Sequence, residues 1–302
     1  MPGEDAALLA ELLVLNDLRG VFSHGTRQVP GYIDHFRAGR LNPRARPAVV
    51  AETPVTLTVA GDGGLGYFPA LLAAQGVVEK AKTHGLAAAV TRDHGHIGAA
   101  GLYARQGLPE NLIMYVTSGH QLHLEPGRPL TDAAGGSPMA FAIPAGEQPP
   151  LVFDFGAMHD LYDSSPHRMQ LFELSPGLVF RSIGLGAVCQ ALGGLLAGVP
   201  VDAARANRRY PGANQGALLI ALDPGCLMPR EAFVRGMEEY VARARRLAPM
   251  PGYDTAHLPG GPEWERERLW AESGPPLTKE HLERLEALGR ELQVLCPLRG
   301  DG

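Results

Sequence analysis

Short apolar runs alternate unevenly with longer segments of helical periodicity, and this pattern constrains the fold more than any other feature of the chain. Leu86 to Val90, Leu112 to Thr117, Met139 to Ile143, Leu151 to Phe155 and Ala217 to Leu222 each read as a buried strand. Ala48 to Val59 alternates and reads as a strand or hairpin. Amphipathic spacing predicts helices over residues 5–15, 28–38, 68–84, 185–197, 230–247 and 278–292, with Gly39 and Gly85 placed as stops. Pro-Gly punctuation over 249–262 marks a long loop before the last helices. A regular doubly wound sheet needs a stricter alternation of strand and helix than this. The pattern therefore predicts a mixed α and β architecture.

At 302 residues the chain makes one large domain or two moderate ones, and 45% hydrophobic with 20% charged residues is ordinary for a globular protein. A net charge of −5 gives no ground for expecting a nucleic-acid partner. A membrane span needs about 18 to 20 apolar residues. The most apolar region, Leu178 to Val201, is broken by Arg181, Ser182, Gln190 and glycines, so no membrane association is expected. Glu4 and Asp5 stand where a signal peptide would be basic, and the expected location is cytoplasmic. Cys189, Cys226 and Cys296 form neither a disulfide framework nor a metal pattern and are expected to be buried thiols. Phe153, Phe155, Tyr162, Phe172 and Phe180 are expected to be core.

Two histidines stand out chemically. His24 lies in a polar turn between helices, flanked by Ser23, which could orient the imidazole, and Gly25, which frees the backbone. Arg19, Arg27 and Gln28 are near in sequence, and a guanidinium there could hold a carboxylate. Imidazole is the natural proton donor and acceptor near neutral pH. His96 follows a strand end at Asp93-His94-Gly95 and precedes the small-residue step Gly98 to Gly101. His94, His96 and Asp93 could share a metal, but alternate positions in an extended segment point oppositely and no further ligands stand out, so no metal is expected. Gly61-Asp-Gly-Gly-Leu-Gly66 has neither the spacing of a dinucleotide fingerprint nor the Lys-Ser or Lys-Thr of a P-loop, and reads as a structural turn.

In chain order, Asp17-Leu-Arg-Gly20, Ser23-His-Gly25, Gly39-Arg-Leu-Asn-Pro43, Gly61 to Gly66, His96-Ile-Gly-Ala-Ala-Gly-Leu-Tyr103, Ala140 to Pro144, Asn214-Gln-Gly216 with Ile220 to Pro224, and Leu258-Pro-Gly260 resemble the malate/L-lactate dehydrogenase family. This is a non-Rossmann family of NAD(P)H-dependent oxidoreductases that includes ureidoglycolate and sulfolactate dehydrogenases and cyclic-imine reductases. The resemblance implies an α+β fold with a largely antiparallel sheet, flanking helices and an inserted cofactor-type domain. It divides the chain into an N-terminal helical part with the Ser-His-Gly motif (1–55), a central cofactor-type domain shortened near 155–183 (56–200), and a C-terminal return (201–302). It further implies a homodimer with its site near the subunit interface, and a small, carboxylate-bearing substrate. His24, with Ser23, Arg19 and Arg27, would form the catalytic group. His96, Gly98, Thr117, Ser118, Ser137, Asp154 and Arg181 would bind NAD or NADP.

The chain departs from the family where the cofactor is bound. A Thr-Asn segment reads Thr117-Ser-Gly119, a Gly-Thr-Asn-Pro element reads Gly135-Gly-Ser-Pro138, and an Asp-Met-Ala-Thr-Ser element reads Asp154-Phe-Gly-Ala-Met158. Gln28 stands where an arginine is usual, and no lysine occurs between Lys82 and Lys279, leaving Arg181 as the nearby cation for an expected Lys-Gly element. Three functions are therefore in play. The first is reduction of a C=O or C=N beside a carboxylate by NAD(P)H, with His24 as proton donor. The second is a cofactor-independent lyase, dehydratase, tautomerase or condensing enzyme using His24 as acid and base. The third is a non-catalytic binding subunit.

Overall fold

The strand segments assemble into one seven-stranded sheet of order β1-β2-β3-β7-β4-β5-β6. They are β1 (Ala48–Glu52), β2 (Thr56–Ala60), β3 (Leu86–His94), β4 (Ile113–His120), β5 (Pro138–Ile143), β6 (Leu151–Gly156) and β7 (Gln215–Leu222). The structure is a computed structural model and describes residues 1–136 and 138–294. Only β2 and β3 pair in parallel; the remaining neighbours are antiparallel. The parallel pair is where a crossover helix is required. That helix is α3 (Tyr67–His84), which lies on β2, β3 and β7. Half of its eight buried residues are alanine (Ala70, Ala73, Ala74, Ala81), which lets the helix sit close to the sheet. Gly85 ends it in the left-handed region at φ 84°, as expected of that glycine. The Ala48 to Val59 stretch is the β1–β2 hairpin. The fold is thus mixed, with a mostly antiparallel sheet and helices, as the sequence predicts.

By internal contacts the chain groups into two units, residues 1–39 with 263–302, and residues 40–262. The first contains α1 (Gly3–Leu18), α2 (Val29–Arg37), most of α8 (Gly261–Ser273) and α9 (Lys279–Leu292). Glu4 and Asp5 in the first turn suit the helix dipole of α1, which buries Leu9, Leu12, Leu13 and Asn16 at helical spacing. The second unit holds the sheet, α3, the single turn α4 (Gly101–Ala104), α5 (Arg168–Leu174), α6 (Pro176–Cys189) and α7 (Arg230–Ala244).

Sequence reading missed α5 and the first half of α6, because Pro176-Gly177, Gly184 and Gly186 weaken helix propensity. Packing overrides that weakness. A satellite core of Ala134, Met158, Leu161 and Val179, joined by Leu171 and Phe172, holds α5 and α6. Beyond Cys189 the helix widens into a π-helical turn over Gln190–Leu195. There Gly193 and Gly194 lie so close to β4 at Ser118 and Gly119 that a Cβ on any of the three glycines would overlap main chain or the Gln190 amide.

Three expectations are corrected here. Pro176–Leu195 is a continuous 20-residue helical stretch of mean hydropathy 1.5, long and apolar enough to cross a membrane by length and composition. Its interruptions, Arg181, Ser182 and Gln190, are too few to break it; a third of it is buried against this unit. Cys226 is exposed, whereas Cys189 is buried and Cys296 lies outside the described residues. Phe153, Tyr162 and Phe180 are exposed rather than core, since each faces outward from an edge strand, a loop or α6, while Phe172 does pack inward.

Candidate active site

In the first unit a 3-10 turn, Phe22–His24, carries the Ser-His-Gly motif, and a second, Thr26–Gln28, follows it directly. The chain is pinned there by two buried polar residues at the end of α1. Asn16 Nδ2 donates to the His24 carbonyl at 2.8 Å. Asp17 Oδ2 accepts from the Thr26 amide at 3.0 Å and from the Thr26 hydroxyl at 2.5 Å. The Asp17 carboxylate also packs against Gly25 where a Cβ would project. Gly25 has φ −91°, so glycine is needed there for space and not, as expected, for an unusual backbone conformation.

The His24 ring is half-buried, and its Nδ1 lies 2.9 Å from Ser23 Oγ. Gln28 Nε2 donates to the Ser23 carbonyl at 2.6 Å, so the residue standing in for the usual arginine braces the turn. Arg19 is buried and pairs with Glu267 at 2.5 Å. Arg27 is exposed, with its guanidinium 5.7 Å from the centre of the Phe22 ring, which itself stacks on Trp270. Of the two arginines singled out from the sequence, Arg27 is the one presented to solvent.

In the second unit the glycine-rich turn and the His94–Gly98 segment are built on each other. Gly61 and Gly63 amides donate to the Arg92 and Asp93 carbonyls, Gly95 donates to Gly64, and Gly66 donates to His96, all at 2.8 to 3.0 Å. The turn is therefore structural, as expected, and its cargo is the histidine segment. His94 is fully buried, with Nδ1 2.7 Å from the Gly95 carbonyl and Nε2 2.7 Å from Thr91 Oγ1. A carbonyl only accepts, so Nδ1 carries the proton and Nε2 accepts from threonine. Burial pushes its pKa down to about 4. Both nitrogens are occupied, and no group of His, Cys, Asp and Glu suited to a metal occurs among the described residues.

His96 is half-buried in the same segment, and Gly98, at φ 73°, lies against the Tyr67 ring. Asp154 Oδ2 accepts from the Gly101 amide at 2.8 Å, fixing the start of α4. Thr117 and Ser118 are buried, and their hydroxyls donate to the Pro138 and Gly216 carbonyls at 2.8 and 2.9 Å. Arg181 is exposed on α6. Ser137 lies outside the described residues. Sequence reading missed Asp17 and Asn16 as the supports of the histidine turn, although Asp17 opens one of the quoted motifs.

The sequence profile of the family described as malate/L-lactate dehydrogenase matches residues 1–158 and 171–286. The match breaks inside the stretch that the sequence marks as shortened. L-sulfolactate dehydrogenase of Methanocaldococcus jannaschii is 25% identical over 97% of this chain and 92% of its own length. Ureidoglycolate dehydrogenase (NAD(+)) of Escherichia coli O157:H7 is 23% identical over 90% of this chain and 85% of its own length. The structure of malate dehydrogenase from Pyrococcus horikoshii OT3 shares the fold with a TM-score of 0.80 at 24% identity, covering 98% of this chain and 90% of that one. With the profile spanning most of its length, this chain belongs to the malate/L-lactate dehydrogenase family, a family of oxidoreductases.

Proposed function

We propose that the chain is an NAD(P)H-dependent oxidoreductase that reduces a C=O or C=N beside a carboxylate, with His24 as the proton donor. The observation that carries this reading is the construction of the His24 turn. Ser23 Oγ at 2.9 Å orients the imidazole, Asn16 holds the carbonyl of the same residue, and the exposed Arg27 guanidinium follows three positions later. An imidazole so placed protonates the oxygen or nitrogen that gains charge as the adjacent carbon is reduced. Arg27 is the group to orient the substrate carboxylate, since Arg19 is engaged with Glu267. Support for the substrate class comes from the relatives, whose names include sulfolactate and ureidoglycolate dehydrogenases.

The fit to the cofactor is partial. The half-buried His96, the Gly98 backbone and the exposed Arg181 are the residues that would meet a nicotinamide and a phosphate. Thr117, Ser118 and Asp154 direct their side chains to protein partners instead. A bound NAD(P)H would supply the hydride, within the part of the chain assigned to 56–200. The commitment of those three side chains favours the second reading, a cofactor-independent enzyme in which His24 acts as acid and base. We also propose that the protein works as a cytoplasmic homodimer.

Fluorescence titration with NADH and NADPH separates the two. Saturable binding of either below millimolar concentration supports the redox reading, and no binding at millimolar concentration overturns it. With turnover in hand, His24→Gln is expected to lower kcat by about a hundredfold or more, the usual worth of a general acid. An unchanged kcat would remove His24 from the chemistry.

A further inference from the structure

Behind the histidine turn, within the first unit, lies a second constellation, of which the proposed reduction uses only Arg27. A cavity of about 190 Å³ is lined by Thr26, Arg27, Thr278, His281 and Arg284, with Glu280 as the carboxylate on its wall. That is room for about six waters at roughly 30 Å³ each, or one small anion. His24 is not part of its lining. Neither Arg27 nor Arg284 forms an ion pair with a carboxylate among the described residues. Two guanidiniums against one carboxylate leave the cavity with a net positive charge.

The floor is a buried relay. His281 is only 5% exposed, and its Nε2 lies 3.0 Å from Thr26 Oγ1. The single hydroxyl proton of Thr26 goes to Asp17 at 2.5 Å, so the oxygen accepts from His281 Nε2–H. The other ring nitrogen, Nδ1, is buried with no hydrogen-bond partner. A neutral ring leaves that nitrogen as a bare acceptor. Burial holds the imidazole below the usual histidine range, and Arg27 and Arg284 push the same way, while Asp17 works against them.

We infer that this cavity is a binding site for a small oxyanion, a carboxylate or phosphate-type group held by Arg284 and Arg27, and that His281 takes up a proton as the anion binds. The coupling is electrostatic. An anion between the guanidiniums cancels the repulsion that disfavours the imidazolium, while Asp17 stabilises it from behind through Thr26. Glu280, on the cavity wall, opposes the anion. Because Arg27 and Thr26 belong to the turn that follows His24, an occupied cavity fixes that turn from below. The site shares Arg27 with the proposed reduction, but its test reads binding without turnover and turns on Arg284, which that reading does not use.

Isothermal titration calorimetry of the full chain with sulfate and with succinate tests it. Sulfate keeps its charge between pH 5.5 and 7.5, so any pH dependence belongs to the protein. Saturable binding of either probe is the expected result, and for sulfate it should be tighter at pH 5.5, with buffer-dependent heats showing proton uptake. Sulfate alone marks a phosphate-type site, and succinate alone a carboxylate site. Arg284→Gln, an exposed position that leaves the fold intact, is expected to weaken binding about tenfold or more, as loss of a charged hydrogen bond should. His281→Gln should bind with less pH dependence. Absence of saturable binding of both probes at tens of millimolar, or wild-type affinity in Arg284→Gln, would overturn the site. Undiminished proton uptake in His281→Gln would overturn the role of that histidine.

Discussion

Single residues in this chain are held by close approach more than by conformational preference. Gly25 tolerates alanine in its backbone angles, yet the Asp17 carboxylate fills the space a methyl group would need. Gly25→Ala is expected to destabilise the first unit by about 1 to 3 kcal/mol, the usual cost of overpacking, read as a lower urea midpoint. His94 shows the opposite situation, a ring fully satisfied inside the fold. Its folded pKa of about 4 lies below the usual 6.5, so from roughly pH 6.5 down to 4 the unfolded chain binds a proton that the native state refuses. Stability therefore falls as pH drops through that window, by on the order of 3 kcal/mol for this group. The desolvated His120 and His281 act with the same sign. Urea midpoints from pH 7.5 to 4.5 should show a slope that His94→Gln reduces by about one proton; an unchanged slope would mean that the ring already titrates normally. His24 was legible because its neighbours announce a turn. Its anchor, the Asp17–Thr26–His281 relay, was not, because Thr26 and His281 stand 255 positions apart.

At the scale of elements, the strands were read correctly because uninterrupted apolar runs of that length fit little else, although β7 is buried along most of its length while β6 buries only Val152. The glycine-rich turn was legible as a turn, but its role as the bed of the His94–Gly98 segment depends on main-chain hydrogen bonds that no side-chain pattern encodes. α6 was half missed for a related reason. Gly177 and Gly184 look like a loop in sequence but stand in a helix with open space around them, whereas Gly193 and Gly194, in the turn beyond, are the ones that meet β4. α6 and the turn beyond it present Leu178, Leu185, Val188 and Leu195 to solvent. An apolar stripe of this kind is costly to leave in water and is a natural surface for the proposed homodimer. Val188→Glu is expected to shift the protein to a monomer by light scattering while its circular dichroism is preserved. A dimer of undiminished strength would place the interface elsewhere.

Across the whole molecule, the family and the sheet were evident from ordered motifs spread along the chain. The first unit is made from both ends of the described chain: Arg19 pairs with Glu267, Phe22 stacks on Trp270, and Thr26 meets His281. Ending the chain at Pro262 is therefore expected to strip hydrogen-exchange protection from residues 1–39 while the amides of the sheet keep theirs. Equal protection in both regions would show that α1 and α2 stand without α8 and α9.

That arrangement also sets an order of events during synthesis. Arg19 and Glu267 are separated by 248 positions. At about 5 to 20 residues per second, Arg19 waits roughly 12 to 50 s for its partner to be made. The sheet can complete while the ribosome is still working, but the turn bearing His24 gains its Thr26–His281 contact only once α9 has emerged. A polypeptide released early would carry a finished scaffold and an unfinished His24 turn.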